Sequence, residues 1–94
     1  MQIYGYVDMT VDNCVFNTKK DYTLKYVATV GNKATFSNCE VSNSENFVQL
    51  GSDLYPGDGY AIEINNTTLG TGVNYYVVAN EENQSVTIDG EVKK

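Results

Sequence analysis

The chain of 94 residues contains no histidine and no tryptophan, its six basic residues are all lysines, and it has one proline. Histidine is the commonest general base and the commonest metal ligand, so its absence removes the usual centre of acid–base and metal chemistry. Without arginine, the planar fork that binds phosphates and carboxylates in two places is also missing. We therefore predict a protein that is not an enzyme, with no catalytic residues, no metal ligands and no cofactor.

Positive charge is scarce as well. Six basic residues stand against twelve acidic ones, and the net charge is −6. A nucleic-acid binder needs a clustered basic surface, and an anionic membrane attracts basic segments, so we expect neither partner. No apolar run reaches membrane-spanning length, so we expect no membrane insertion. Residues 1–5 lack the basic and apolar regions of a signal peptide, and we interpret the chain as a piece of a longer protein.

What the sequence does contain is an internal repeat. Four segments align without gaps and begin at Thr10, Thr35, Glu63 and Thr87, so the intervals are 25, 28 and 24 residues. Twelve residues after the first three of these positions come Tyr22, Phe47 and Tyr75, and each opens an apolar stretch. The longer interval coincides with a Gly/Asp/Pro-rich stretch at residues 51–59, which is typical of a loop. A period near 25 residues indicates stacked repeats in one domain, residues 1–94.

Apolar and polar residues alternate within each segment, which predicts strands. Threonine or glutamate occupies the outward positions 10, 35, 63 and 87. If the repeats stack, one residue of each segment joins a single inward ladder. The members of that ladder are Val11, Phe36, Ile64 and Ile88.

The first two segments share a more specific pattern, apolar–x–apolar–x–Asn–Cys–x–apolar. The residues that carry it are Met9, Val11, Asn13, Cys14 and Phe16 in the first segment and Ala34, Phe36, Asn38, Cys39 and Val41 in the second. The pattern resembles the coils of right-handed parallel β-helix proteins, the pectate-lyase-like superfamily and related bacterial surface proteins. The resemblance implies an all-β fold, a short right-handed parallel β-helix of about three to four coils.

An antiparallel β-sandwich or a meander of hairpins is the alternative fold. The pairs at positions 12–13, 37–38, 65–66 and 89–90 are all plausible two-residue hairpin turns, and Asp89-Gly90 is a strong one. The constant offset of the second landmark favours stacked coils, because a meander has no reason to repeat its strand spacing so closely.

In the stacked fold, Asn13, Asn38 and Asn66 occupy equivalent bends, where their amides are expected to hydrogen-bond from one coil to the next. Gly90 fits the same bend without an amide. Cys14 and Cys39 also match one coil apart. Parallel stacking aims both side chains the same way, which is poor disulfide geometry, so we expect two free, shielded thiols.

The most distinctive stretch is the insertion, and its candidate ligand-binding residues are Asp53, Tyr55, Asp58 and Tyr60. Function is often located in loops on rigid scaffolds. A tyrosine face against a sugar ring, with carboxylates accepting hydroxyl hydrogens, predicts a glycan as the partner. The alternative without a binding role is an ordinary turn set by Pro56-Gly57.

The function expected from these observations is a non-catalytic extracellular or cell-surface scaffold, adhesin or carbohydrate-contacting module; the surface location follows from the resemblance alone. The alternatives are a fragment of a polysaccharide-active β-helix enzyme and a phage tail or spike segment. The terminal strands have open edges, so we also expect end-to-end self-association or fraying of the last repeat.

Overall fold

The computed structural model describes the backbone of residues 2–3 and all atoms of residues 8–27, 31–52, 57–79 and 83–94. These residues form twelve strands and no helix. The strands are β1 (Gln2–Ile3), β2 (Asp8–Asp12), β3 (Val15–Asn17), β4 (Tyr22–Tyr26), β5 (Lys33–Ser37), β6 (Glu40–Ser42), β7 (Asn46–Leu50), β8 (Ala61–Asn65), β9 (Thr68–Leu69), β10 (Asn74–Val78), β11 (Ser85–Ile88) and β12 (Glu91–Val92).

From β1 to β11, each sheet takes every third strand of the chain, and β12 joins the same sheet as β11. Sheet A has the order β1-β4-β7-β10, sheet B the order β12-β11-β8-β5-β2, and sheet C the order β3-β6-β9. Every pairing is parallel except that of β11 with β12. The expectation of an all-β fold in parallel sheets is confirmed, and the antiparallel alternative is wrong for all but this last pair.

The alternating pattern produces the inward ladder in sheet B. Val11 pairs with Phe36, Phe36 with Ile64, and Ile64 with Ile88. Phe36 and Ile64 are completely buried, while Val11, on the edge strand β2, is only half-buried. The predicted ladder is confirmed, and its burial is greatest in the middle of the sheet.

The second landmark is shifted by one residue in the first repeat. Tyr22 pairs with Asn46, and Asn46 pairs with Asn74, so Tyr22 does not align with Phe47. The cause is the connection from sheet C to sheet A. It runs over residues 18–21 between β3 and β4 but over residues 43–45 between β6 and β7, one residue fewer.

The insertion lies where the longer interval places it. Residues 51–60 connect β7 to β8, whereas residues 27–32 connect the equivalent strands one repeat earlier. Backbone pairing on both sides of the connection stays in register, so the four extra residues leave the sheets undisturbed.

Side chains from all three sheets meet in one apolar core. Phe47 of sheet A contacts Phe36 of sheet B with ring centroids 4.9 Å apart, and Phe16 of sheet C at 5.6 Å. Leu24, Leu50 and the inward residues of sheet B surround these rings. Burial of this shared core is the main favourable contribution to folding.

The asparagine bends connect sheet B to sheet C. Asn13, Asn38 and Asn66 have φ of 56°, 56° and 46°, a left-handed conformation that asparagine tolerates. Nδ2 of Asn66 donates to Oδ1 of Asn38 at 2.6 Å, as predicted. Nδ2 of Asn38, however, donates to Asp12 and not to Asn13. The ladder is therefore confirmed for one pair and continues through a carboxylate.

A second bend also has a left-handed asparagine whose amide bonds to the neighbouring repeat, although the sequence pattern did not reveal it. Asn43, with φ of 71°, donates from Nδ2 to Oδ1 of Asn17 one repeat before. Asn74 donates in the same way to Oδ1 of Asn46 at the start of sheet A. Amides thus link neighbouring repeats along two further lines.

The fourth segment departs from the other three. Asp89 and Gly90 both have positive φ, 51° and 80°, the conformation of a type I′ hairpin turn. The chain reverses, and β12 pairs antiparallel with β11. The expectation that Gly90 forms the same bend as the asparagines is wrong. The edge of β11, which we expected to be open, is covered by β12.

Candidate functional site

The outer face of sheet B carries two rows of side chains that run across the strands, and all of them except Ala61 are polar. Paired residues form each row, and neighbouring strands lie about 4.8 Å apart. The first row contains Asp8, Lys33, Ala61 and Ser85, and the second contains Thr10, Thr35, Glu63 and Thr87. The outward direction of the second row was predicted from the alternation.

A groove of about 370 Å³ runs along this face, and we call it the sheet B groove. Ala61 stands between Lys33 and Ser85 in its row, and its small side chain leaves room between the longer ones. The groove is lined by Asp8, Lys33, Ala34, Thr35, Ala61, Ile62, Glu63, Ser85 and Thr87.

The chemistry of the groove is that of hydrogen bonding. Hydroxyls of Thr35, Ser85 and Thr87 both donate and accept, Lys33 donates three bonds, and the Glu63 carboxylate accepts. Lys33 and Glu63 are exposed, so neither has been removed from water. The arrangement suits a flexible, hydroxyl-rich ligand laid across several strands.

The predicted loop site is wrong for one of its residues. Tyr60 is completely buried, with its ring centroid 5.6 Å from that of Tyr26. A Cβ at Gly57 would lie 1.6 Å from the Tyr60 hydroxyl, so only glycine leaves space for this ring. Tyr60 belongs to the apolar core, and its ring face is closed to a sugar.

The other loop residues divide into two groups. Asp58 is half-buried, accepts from Nδ2 of Asn83 at 3.2 Å, and accepts from the Gly31 amide through its backbone oxygen. Asp58 therefore links the connection before β8 to those before β5 and β11. Asp53 and Tyr55 lie outside the described residues.

Gln84 is the structural residue of this region that sequence reasoning missed. Its Oε1 accepts from the Tyr60 amide at 2.9 Å and its Nε2 donates to the Gly57 oxygen at 3.0 Å. One buried side chain thus satisfies two backbone groups of the insertion, as buried polar groups require. Its position in the repeat was the one sequence signal that could have identified it. Asn32, Tyr60 and Gln84 each directly precede a sheet B strand, and all three are buried.

Among the described residues, no three histidine, cysteine, aspartate or glutamate side chains converge to hold a metal ion. Within the same residues, no helix is long and apolar enough to cross a membrane.

Comparison of the chain with protein-family models, with curated proteins and with solved structures finds no match.

Proposed function

We propose that the chain is part of a short right-handed parallel β-helix that contacts glycans through the sheet B groove. In this proposal it is a non-catalytic module of an extracellular or cell-surface scaffold or adhesin. The observation that carries the glycan proposal is the groove, with hydroxyl, ammonium and carboxylate groups at the spacing of stacked strands.

The cyclic strand order supports the closed β-helix. Strands β1 to β11 lie in sheets A, B and C in turn, and from β4 to β11 each strand pairs with the one a repeat before it. Side chains of all three sheets share a core. In a closed helix of this kind each repeat rests on its neighbour, and one repeat alone could not bury its inward face.

The dimensions of the groove support a polymeric or multivalent glycan over a small compact ligand. The groove spans strands β2, β5, β8 and β11, so its polar groups repeat over about 14 Å, three strand spacings. A sugar chain offers hydroxyls at a repeat of the same order and needs no deep cavity.

A glycan array probed with the full chain tests the proposal. The matched variants are Glu63→Gln in the groove and Glu40→Gln on sheet C, since both replace an exposed strand carboxylate with an amide. A charged hydrogen bond contributes about 1–1.5 kcal/mol more than a neutral one, and glutamine keeps an acceptor oxygen, so Glu63→Gln should weaken binding by about 5- to 10-fold. Glu40→Gln should leave binding unchanged.

Three outcomes would contradict the proposal. The chain could bind no glycan, both variants could lose binding equally, or the bound glycan could be cleaved. Release of reducing ends or of unsaturated sugars would instead favour the enzyme fragment.

A further inference from the structure

Cys14 and Cys39 occupy equivalent positions in consecutive repeats. Asp12 pairs with Ser37 just before them, and Val15 pairs with Glu40 just after. The Glu40 amide donates to the Cys14 oxygen at 2.9 Å, so the backbones are bonded to each other at this point. The two Cα atoms are therefore one strand spacing apart, about 4.8 Å.

The two side chains also point the same way. Sγ of Cys14 lies 3.6 Å from the oxygen of Asp12, two residues before it, and Sγ of Cys39 lies 3.3 Å from the equivalent oxygen of Ser37. Contacts with equivalent oxygens indicate similar rotamers of the two side chains. The two sulfur atoms are consequently separated by about the strand spacing of 4.8 Å as well.

This separation disfavours a disulfide. A disulfide holds its sulfurs about 2.05 Å apart, with Cβ atoms about 3.5–4.5 Å apart, and parallel side chains meet neither condition. Both cysteines are free in the structure.

The same separation suits a metal ion between the sulfurs. A metal–thiolate bond is about 2.3 Å long, as in zinc sites, so two such bonds in line span about 4.6 Å. We propose that Cys14 and Cys39 form a two-coordinate site for a soft, thiophilic metal ion. This site is independent of the sheet B groove.

Charge and burial define the ion further. Cys39 is 2% exposed and belongs to the apolar core. Two thiolates and one divalent ion form a neutral unit, which avoids the cost of a buried charge. Zinc is disfavoured because it requires four ligands. Cys14 is only half-buried, and it provides the route of entry.

Binding follows a balanced exchange. Each thiol loses its proton and forms one sulfur–metal bond, so two protons are released per divalent ion and nothing is oxidised. The probe is Hg²⁺, titrated into the reduced full chain. We expect one ion per chain, simultaneous loss of both reactive thiols and release of two protons per ion. Two ions per chain, or chains bridged by the metal, would overturn the proposal.

The third repeat supplies a register control. Thr67 occupies the position equivalent to Cys39 in the next repeat. Its Oγ1 donates to the Asn65 oxygen, two residues before it, at 3.1 Å, as the two thiols do to their own equivalents. A hydroxyl is thus accepted there, so serine should replace either cysteine without loss of the fold. Cys14→Ser should weaken Hg²⁺ binding by at least about 100-fold, since changes in the surroundings of a ligand alone cost about 10–100-fold.

Moving the pair then separates spacing from thiol count. Cys14→Ser/Thr67→Cys restores two thiols one repeat apart, and binding should return. Cys39→Ser/Thr67→Cys keeps two thiols but places them two repeats apart, and binding should remain weak. Circular dichroism checks the fold of each variant. If Cys39→Ser fails to fold, the comparison of Cys14→Ser with Cys14→Ser/Thr67→Cys still decides. Equal affinity of the two double variants, or no recovery in the first, would refute the site.

Discussion

The bends at Asn13, Asn38 and Asn66 and the turn at Asp89-Gly90 occupy equivalent positions, yet they send the chain in different directions. Each asparagine is a single left-handed residue, and the chain continues into sheet C. At Asp89-Gly90 two successive residues are left-handed, and the chain returns along β11. One additional left-handed residue thus separates continuation of the stack from its reversal.

A hydrogen bond joins the last asparagine bend to the hairpin turn. The Asn13 amide donates to the Ser37 oxygen, and the Asn38 amide donates to the Asn65 oxygen. At Asn66 the equivalent acceptor would be the backbone oxygen of Asp89. The amide of Asn66 donates instead to Oδ1 of Asp89, at 2.7 Å. The carboxylate therefore replaces the backbone acceptor where the chain turns back.

The largest expected effect is a loss of stability in the core, which should be greater under the asparagine bends than beside the hairpin. Phe36→Ala should lower the free energy of unfolding by about 3–5 kcal/mol, because it removes a completely buried ring. Ile88→Ala, at 7% exposure beside the turn, should cost about 2 kcal/mol, near the lower limit for such a change. Urea denaturation measures both. Equal losses, or a Phe36 variant that melts with the parent, would mean that the middle of the ladder is no better packed than its end.

The second prediction concerns the exclusion of water from the core on the sheet A side, away from the hairpin, at the buried hydroxyl of Tyr26. Burial raises the pKa of Tyr26 from 10.0 to about 12. Its hydroxyl has no hydrogen-bond partner among the described residues. The neutral form is favoured in the fold, so this contribution is complete below pH 10 and is lost between pH 10 and 12. The loss is about 3 kcal/mol at 1.36 kcal/mol per pKa unit.

Stability measured from pH 9 to pH 12 shows the effect as a difference from Tyr26→Phe. The variant should lack this share of the alkaline loss, and at neutral pH it should be as stable as the parent, since it removes an unpartnered polar group. Parallel pH profiles of the two proteins would contradict a dry site.

The third prediction divides the asparagine bend into backbone and side-chain parts. Asn38→Ala should cost about 2–3 kcal/mol, because it loses the bonds to Asp12 and Asn66 and keeps a left-handed residue. Asn38→Gly loses the same bonds without the backbone strain and should cost about 1 kcal/mol less. Thermal denaturation compares them. A glycine variant no better than the alanine variant would show that the amide ladder alone maintains the bend.

The fourth prediction applies the same division to the hairpin. Asp89→Asn keeps an oxygen for the Asn66 amide and tolerates positive φ, so it should be close to neutral. Asp89→Ala leaves that exposed amide to water and places alanine at a φ of 51°, so it should cost about 2 kcal/mol. Amide exchange at Asn66 reports the bond directly, and unchanged protection in Asp89→Ala would disprove the substitution of acceptors.

The last prediction concerns association, which removal of residues 91–94 should increase. Strand β12 covers the edge of β11, and Nζ of Lys93, directly after β12, lies 3.3 Å from the Glu91 carboxylate in an ion pair. Charged residues on an edge discourage pairing with other chains, and an uncovered strand invites it. Light scattering at equal concentrations should show larger species for the shortened chain than for the full one. Equal scattering would assign any association to the opposite edge, β2.

The local pattern of the sequence determined which residues face inward and where the repeats begin. The ladder through Phe36 and Ile64 follows from period-2 alternation, and stacking requires equivalent positions to pair. The insertion was visible as an interval of extra length, and the positive φ of Asn38 and Asn66 follows from residue chemistry.

Only the tertiary structure decided the rest. Asp89-Gly90 aligned with the asparagine bends and was also a strong hairpin turn in the sequence, and the choice between the two depended on two backbone conformations together with a free edge of β11 to pair with. Tyr60 resembles a ligand-binding residue in a loop, but a cavity beside Tyr26 and Gly57 accepts its ring. The sheet B groove brings together residues of four strands that are far apart in sequence, and its shape depends on Ala61 standing next to longer neighbours. Local patterns report the face of a strand, whereas grooves, buried loops and covered edges arise from which strands become neighbours.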